Sequence, residues 1–143
     1  MSIIHFGFPP APVHVRTARL VAASVAQQAS LGGETLGEVR QAAGEACSRA
    51  VARHRRHHVT DLVRMKFAIG DRFVADVADF APITRNALLT DTNAKGQLSE
   101  APSDEDTLTE EVALTLLAGL VTDLQVIQGE DDIGTVVRMA WPL

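Results

Sequence analysis

Cysteine is nearly absent: Cys47 is the single one in 143 residues, so no internal disulfide can form. The fold must rest on its hydrophobic core, and a reducing compartment is expected. Tyrosine is missing, tryptophan occurs once and aromatics make up 4% of the chain. Platforms for stacking nucleic-acid bases are therefore not on offer. No run of 18 apolar residues occurs. The nearest, residues 112–121, is interrupted by Thr115 and is too short to cross a bilayer. The first residues, Met-Ser-Ile-Ile-His-Phe, lack the basic start and apolar stretch of an export signal. The expectation is a cytoplasmic protein without membrane contact. Basic residues are also nearly absent from the last third. Residues 96–143 hold one, Arg138, against 10 acids, a net −9, whereas residues 1–95 hold 12 Lys+Arg against 8 acids, a net +4. That acidity disfavours direct nucleic-acid binding and favours a protein partner.

What is present is the balance of a globule: 46% hydrophobic and 22% charged residues. The length suits one domain, 1–143, with a core of its own. In residues 2–8, Ile4, Phe6 and Phe8 alternate with Ile3, His5 and Gly7, which predicts a strand. Pro9, Pro10 and Pro12 end it and precede a helix over residues 13–29. Gly32 and Gly33 are expected to stop that helix. Thr35 and Glu38 form a capping box for a second helix with a stripe of Leu36, Val39, Ala43, Ala46 and Ala50. Val63, Met65, Phe67 and Ile69 alternate with Arg64, Lys66 and Ala68. Gly70-Asp71 then predicts a type II′ hairpin into a strand over residues 72–79.

Residues 82–106 show no sustained period and read as a lid-like loop. Thr107 and Glu110 form a second capping box. The third helix is expected to bury Leu108, Val112, Leu116, Leu117, Leu120 and Val121. A closing hairpin spans residues 124–128 and 133–141 around Gly129. The order β-α-α-β-β-loop-α-β-β predicts an α/β (α+β) two-layer sandwich, with a mixed, mostly antiparallel five-stranded sheet and three helices on one face. Ala18, Val21, Val25, Ala43, Ala46, Ala50, Val63, Met65, Phe67, Leu116, Leu117 and Leu120 are the expected core.

Two features could carry chemistry from the residues alone. Arg53-His54-Arg55-Arg56-His57-His58 is a basic tract at a helix end, where cations complement the helix C-terminus. A metal site of His54, His57 and His58 is disfavoured, because no carboxylate or cysteine lies close in sequence. Cys47, among alanines, reads as a small buried hydrophobe.

Three stretches then fit one known pattern: residues 15–20, Val-Arg-Thr-Ala-Arg-Leu; Glu38 to Cys47 and onward through Glu45-Ala46-Cys47-Ser48-Arg49-Ala50-Val51; and Gly134-Thr135-Val136-Val137-Arg138-Met139. With the long loop before the third helix, the chain resembles the anti-sigma factor serine kinases of the RsbW type, in the GHKL superfamily of ATPases and histidine kinases. The resemblance covers nearly the whole chain and implies a Bergerat-like fold. In that family Glu45 matches a catalytic base, Asp79 the residue that contacts the adenine amino group, and Gly134-Thr135 the last nucleotide motif.

The sequence departs from the family at the metal and the phosphates. Arg49 stands where the family has a magnesium-binding asparagine, and a guanidinium offers magnesium no acceptor. Glu45 and Arg49, four apart, are expected to pair as ions instead. Asp79-Phe80-Ala81-Pro82-Ile83 lacks both glycines of Asp-x-Gly-x-Gly, with Ala81 at the first. Glu111 and Ala113 replace the Gly-x-Gly before the last helix, and the acids around them repel phosphate.

The resemblance therefore implies remnants of a nucleotide site at Glu45, Arg49, Asp79, Ala81, Gly134 and Thr135. No metal is expected, nor any working ATP or magnesium cofactor. It implies a homodimer that sequesters a sigma factor and answers to a STAS-type anti-sigma-factor antagonist. The alternatives are an active serine-protein kinase with Glu45 as base, and a non-catalytic adaptor unrelated to sigma factors.

Overall fold

A computed structural model describes residues 1–83 and 105–143. Most of the loop expected over residues 82–106, including Leu88, Leu89 and Leu98, lies outside the described residues. The elements are β1 (Ser2–Phe8), α1 (Val15–Gln28), α2 (Gly33–Arg56), β2 (Val63–Ile69), β3 (Arg72–Ala78), α3 (Glu105–Leu120), β4 (Asp123–Gln128) and β5 (Thr135–Pro142). Short 3-10 turns at Pro12–His14 and Glu130–Asp132 lead into α1 and β5. The five strands form one sheet in the order β1-β2-β3-β5-β4, and every pairing is antiparallel.

Register explains the layers. Phe6, Met65, Val77, Val137 and Val126 lie side by side across all five strands, and Ile4, Phe67, Ala75, Met139 and Leu124 form the next row. Side chains alternate along a strand, so both rows point the same way and meet the helices. Ala18, Ala22, Val25 and Ala26 of α1 join Val39, Ala43, Ala46 and Ala50 of α2 in the same core. The small residues let these helices sit close to the sheet. The opposite face carries a polar row, His5-Lys66-Asp76-Arg138-Gln125. Its centre is a bidentate pair, with Arg138 Nε and Nη2 each 2.9 Å from Asp76.

Several expected details differ. Helix α1 is closed by Ser30 rather than by Gly32 and Gly33. Ser30 takes φ 73°, its N–H donates to the Gln27 carbonyl at 2.9 Å, and Leu31 N–H donates to the Ala26 carbonyl at 3.0 Å. This is a Schellman closure, with Leu31 packed on the core as its apolar contact. The glycines start α2 instead: Gly32 is its N-cap and Gly33 turns through φ 61°, so the Thr35–Glu38 capping box does not form. Gly70 lacks the positive φ a type II′ turn requires, and its N–H bonds the Arg72 carbonyl at 3.1 Å.

The largest difference is the rotation of α3. Glu110, Ala113 and Leu117 are its buried residues, whereas Leu108, Val112 and Leu116 are 50%, 51% and 42% exposed. Leu116 is thus not core, and Val21 and Leu120 are only half-buried. The helix is apolar on nearly every side, so its hydrophobic pattern does not select a face. Glu110 does, because α2 presents arginines to it.

Candidate functional site

Helix α2 projects Arg49, Arg53 and Arg56 along one stripe, at spacings of four and three, toward the end of β3 and the side of α3. Arg49 is 1% exposed and Arg53 0%. Charges so buried need partners, because desolvation otherwise costs several kcal/mol. Asp79, just past β3 and itself 1% exposed, is the chief partner. Arg53 Nε lies 3.0 Å from Asp79 Oδ2, and Arg49 Nη1 lies 3.6 Å from the same oxygen. Arg49 Nη1 also donates to Thr135 Oγ1 at 2.9 Å, and that hydroxyl donates in turn to Asp79 Oδ2. The other carboxylate oxygen accepts the Ala81 N–H at 3.0 Å. Both oxygens of Asp79 are therefore engaged from within the chain.

Arg53 extends the network to α3. Its Nη2 donates to the carbonyls of Ala81 (3.2 Å) and Pro82 (3.1 Å), and its Nη1 stands 3.6 Å from Glu110 Oε1. Arg56 closes the far side, 3.3 Å from Glu110 Oε2, and donates to Thr107 Oγ1 at 3.0 Å. Thr107 and Glu110, expected to cap α3 together, instead face α2. Burial pushes the Glu110 carboxyl up from its ordinary pKa, against the pull of Arg56 and Arg53. Burial likewise pushes Arg49 down against the attraction of Asp79. Guanidinium remains charged under such shifts.

The remaining predicted residues fall into two groups. Ala81, Gly134 and Thr135 join Asp79. Gly134 takes φ 75°, and a Cβ there would come within 1.8 Å of the Asp79 carbonyl oxygen. The Asp79 N–H donates to the Thr135 carbonyl at 2.9 Å, so Gly134 lets β5 start directly against the end of β3. Glu45 does not join. It is half-buried beside Arg19 and Ser48 in a shallow cleft. The expected Glu45–Arg49 ion pair does not form, because Arg49 turns inward to Thr135 and Asp79.

The basic tract also divides. Arg53, His54, Arg55 and Arg56 lie in the last turn of α2, as expected of cations at a helix C-terminus, but Arg53 and His54 are 0% exposed and serve the buried network as well. The His54 Nε2 accepts the Phe80 N–H at 2.8 Å, which makes that nitrogen the unprotonated one. Burial pushes the His54 pKa down, opposed by Asp79. Among the described residues, no three His, Cys, Asp or Glu side chains gather as a metal site. Sequence reasoning missed Arg53 and His54. The available signal was that they continue the buried stripe of Ala43, Ala46 and Ala50 at helical spacing.

Cys47 is buried as expected, 3.8 Å from the Met65 sulfur, and burial holds its thiol protonated. Among the described residues, no helix is long and apolar enough to cross a membrane. A search of curated proteins finds no significant match. A sequence profile of the histidine kinase-like ATPase domain matches residues 8–141, which embrace the three helices, β2, β3, β4 and all but the last residue of β5, and begin at the last residue of β1. With that match over nearly its whole length, the chain belongs to the histidine kinase-like ATPase domain family of the GHKL superfamily.

Proposed function

We propose that this protein is a non-catalytic member of its family and acts by binding, as an anti-sigma factor-like regulator. It sequesters a sigma factor, a STAS-type antagonist releases it, and the working unit is a homodimer. Its fold is that of an ATPase, but the residues that would have to hold magnesium–ATP do not fit it. The observation that carries this reading is the state of Asp79. Its carboxylate is 1% exposed and shared among Arg49, Arg53, Thr135 and the Ala81 N–H, so both oxygens that an adenine amino group would need are already engaged from within the chain. Arg49 brings fixed positive charge where magnesium needs oxygen ligands. Arg53 ties α3 to Asp79 through Glu110, so where α2 faces the end of β3 and the side of α3 its arginines meet protein carboxylates.

Partner exchange then runs on relative affinity and needs no phosphotransfer by this chain. The acidity of the last third, a net −9 over residues 96–143, favours a partner with exposed arginines or lysines. The test is affinity purification from the native host, followed by reconstitution with the purified proteins recovered. The expected result is a sigma factor and a STAS-domain protein that compete for this chain without added nucleotide. Recovery of neither, or competition that requires ATP, contradicts the reading.

A further inference from the structure

Helix α3 has a second apolar face, which is uncovered among the described residues. Leu108 and Val112 are 50% and 51% exposed, and Thr115 and Gly119 are exposed beside them. Spacings of four, three and four set these residues in one stripe, opposite the buried Glu110, Ala113 and Leu117. Such spacing is the seam by which one helix packs on another. Leu116, 42% exposed, borders it. The Thr115 hydroxyl donates to the Glu111 carbonyl of its own helix at 3.0 Å, so it can be covered without a partner from outside.

Gly119 has no reason within the chain. Its φ is not positive, and a Cβ there would meet nothing within 4 Å. Glycine inside a helix is otherwise only a cost relative to alanine. Bare backbone at this place suits the close approach of a side chain from another molecule. The stripe is also self-complementary. A two-fold axis level with the middle of α3, between Ala113 and Leu114, sets Leu108 of one copy opposite Gly119 of the other, and Val112 opposite Thr115. Each larger side chain then meets a smaller one. Charge selects the direction. Glu105, Asp106, Glu110 and Glu111 lie in the first half of α3, and residues 112–122 carry no charge. An antiparallel pair sets each acidic half against an uncharged half, whereas a parallel pair would set Glu111 against Glu111.

We propose that the outer face of α3 is the surface through which two copies of this chain associate, as an antiparallel helix pair. The inference rests on the homodimer proposed above and gives it a surface. Leu108 of each copy packs over Gly119 of the other, and the two Val112–Thr115 contacts close the centre of the seam. That seam is about three turns long. A lone helix pair of this length falls short of the about 1,200–2,000 Å² of a standard interface, so the dimer is weak and reversible and forms at micromolar concentration.

The test is sedimentation equilibrium of the full chain over micromolar concentrations, with the fold of each variant checked by thermal unfolding. The expected result is a monomer–dimer equilibrium. Leu108→Glu and Val112→Glu each weaken it about tenfold or more, because each buries two unpaired carboxylates at the two-fold seam. Ile133→Glu, on an exposed side chain ahead of β5, leaves it unchanged. Gly119→Leu weakens it as much without adding charge, and leaves the thermal stability of the diluted monomer unchanged or raised. Ala118→Lys, set beside Glu111 of the other copy, tightens the dimer at low salt. A dimer indifferent to the α3 variants overturns this inference and leaves the homodimer standing, whereas a monomer at every concentration overturns both. A monomer that Leu108→Glu destabilises also overturns it and gives the face to residues 84–104 of the same chain. Loosening by Ala118→Lys overturns the antiparallel order.

Discussion

Arg53 connects more of the molecule than any other side chain of the site. It reaches Asp79, two backbone carbonyls and Glu110. Replacing it with methionine keeps the volume but leaves Asp79 and Glu110 short of buried positive charge. Breaking a buried ion pair from one side costs about 3–5 kcal/mol, so Arg53→Met is expected to lower unfolding free energy by that amount in denaturant titrations. A loss within the range of surface mutations would show that Arg53 is solvated.

His54 gives a second, pH-dependent check. Its pKa is depressed in the fold, so the unfolded chain takes up the proton first as pH falls. Stability is full above the unfolded value near 6.5 and is lost as pH drops from there through the folded value. His54→Gln keeps an acceptor for the Phe80 N–H and cannot titrate. Its stability is expected to fall less than the wild type's between pH 7 and 5. Glu110, whose raised pKa acts in the opposite direction, is common to both proteins and cancels in the comparison. Parallel pH profiles for the two proteins would contradict the assignment. At this scale the sequence showed Asp79, Gly134 and Thr135 through family resemblance, but not their bonds. Arg53 and His54 were hidden because burial of a cation depends on distant partners, and Asp79 and Glu110 lie on other elements.

Among the elements, the strands were legible and α3 was not, for one physical reason. A strand with one wet face must alternate, and β2 does so in register with its neighbours. Helix α3 is apolar nearly all round, so the pattern leaves its rotation open. The buried face is set by Glu110 meeting Arg53 and Arg56. Two alanine substitutions test that rotation. Leu117→Ala is expected to cost about 2–5 kcal/mol, as a filled core position does. Leu116→Ala, one residue away, is expected to fall within about 0.5 kcal/mol of the wild type. The reverse order would place α3 on its other face. The capping boxes failed for a related reason: Thr107 and Glu110 had stronger partners on α2, and Gly32-Gly33 started α2 before Thr35 could cap it.

For the molecule as a whole, the layer order and the single sheet follow from element order, and the match over residues 8–141 agrees. Function was less legible, because the departures from the family look similar in sequence whether they leave an empty site or a filled one. The structure brings Arg49, Arg53, Asp79, Thr135 and Glu110 into one buried network, and the central claim is that this network stands in the place of a nucleotide. The most direct measurement is a crystal structure grown with magnesium–ATP. The account predicts Arg49 on Thr135, Arg53 between Asp79 and Glu110, and no adenine against Asp79. An adenine ring hydrogen-bonded to the Asp79 carboxylate, with either arginine swung aside, would contradict it.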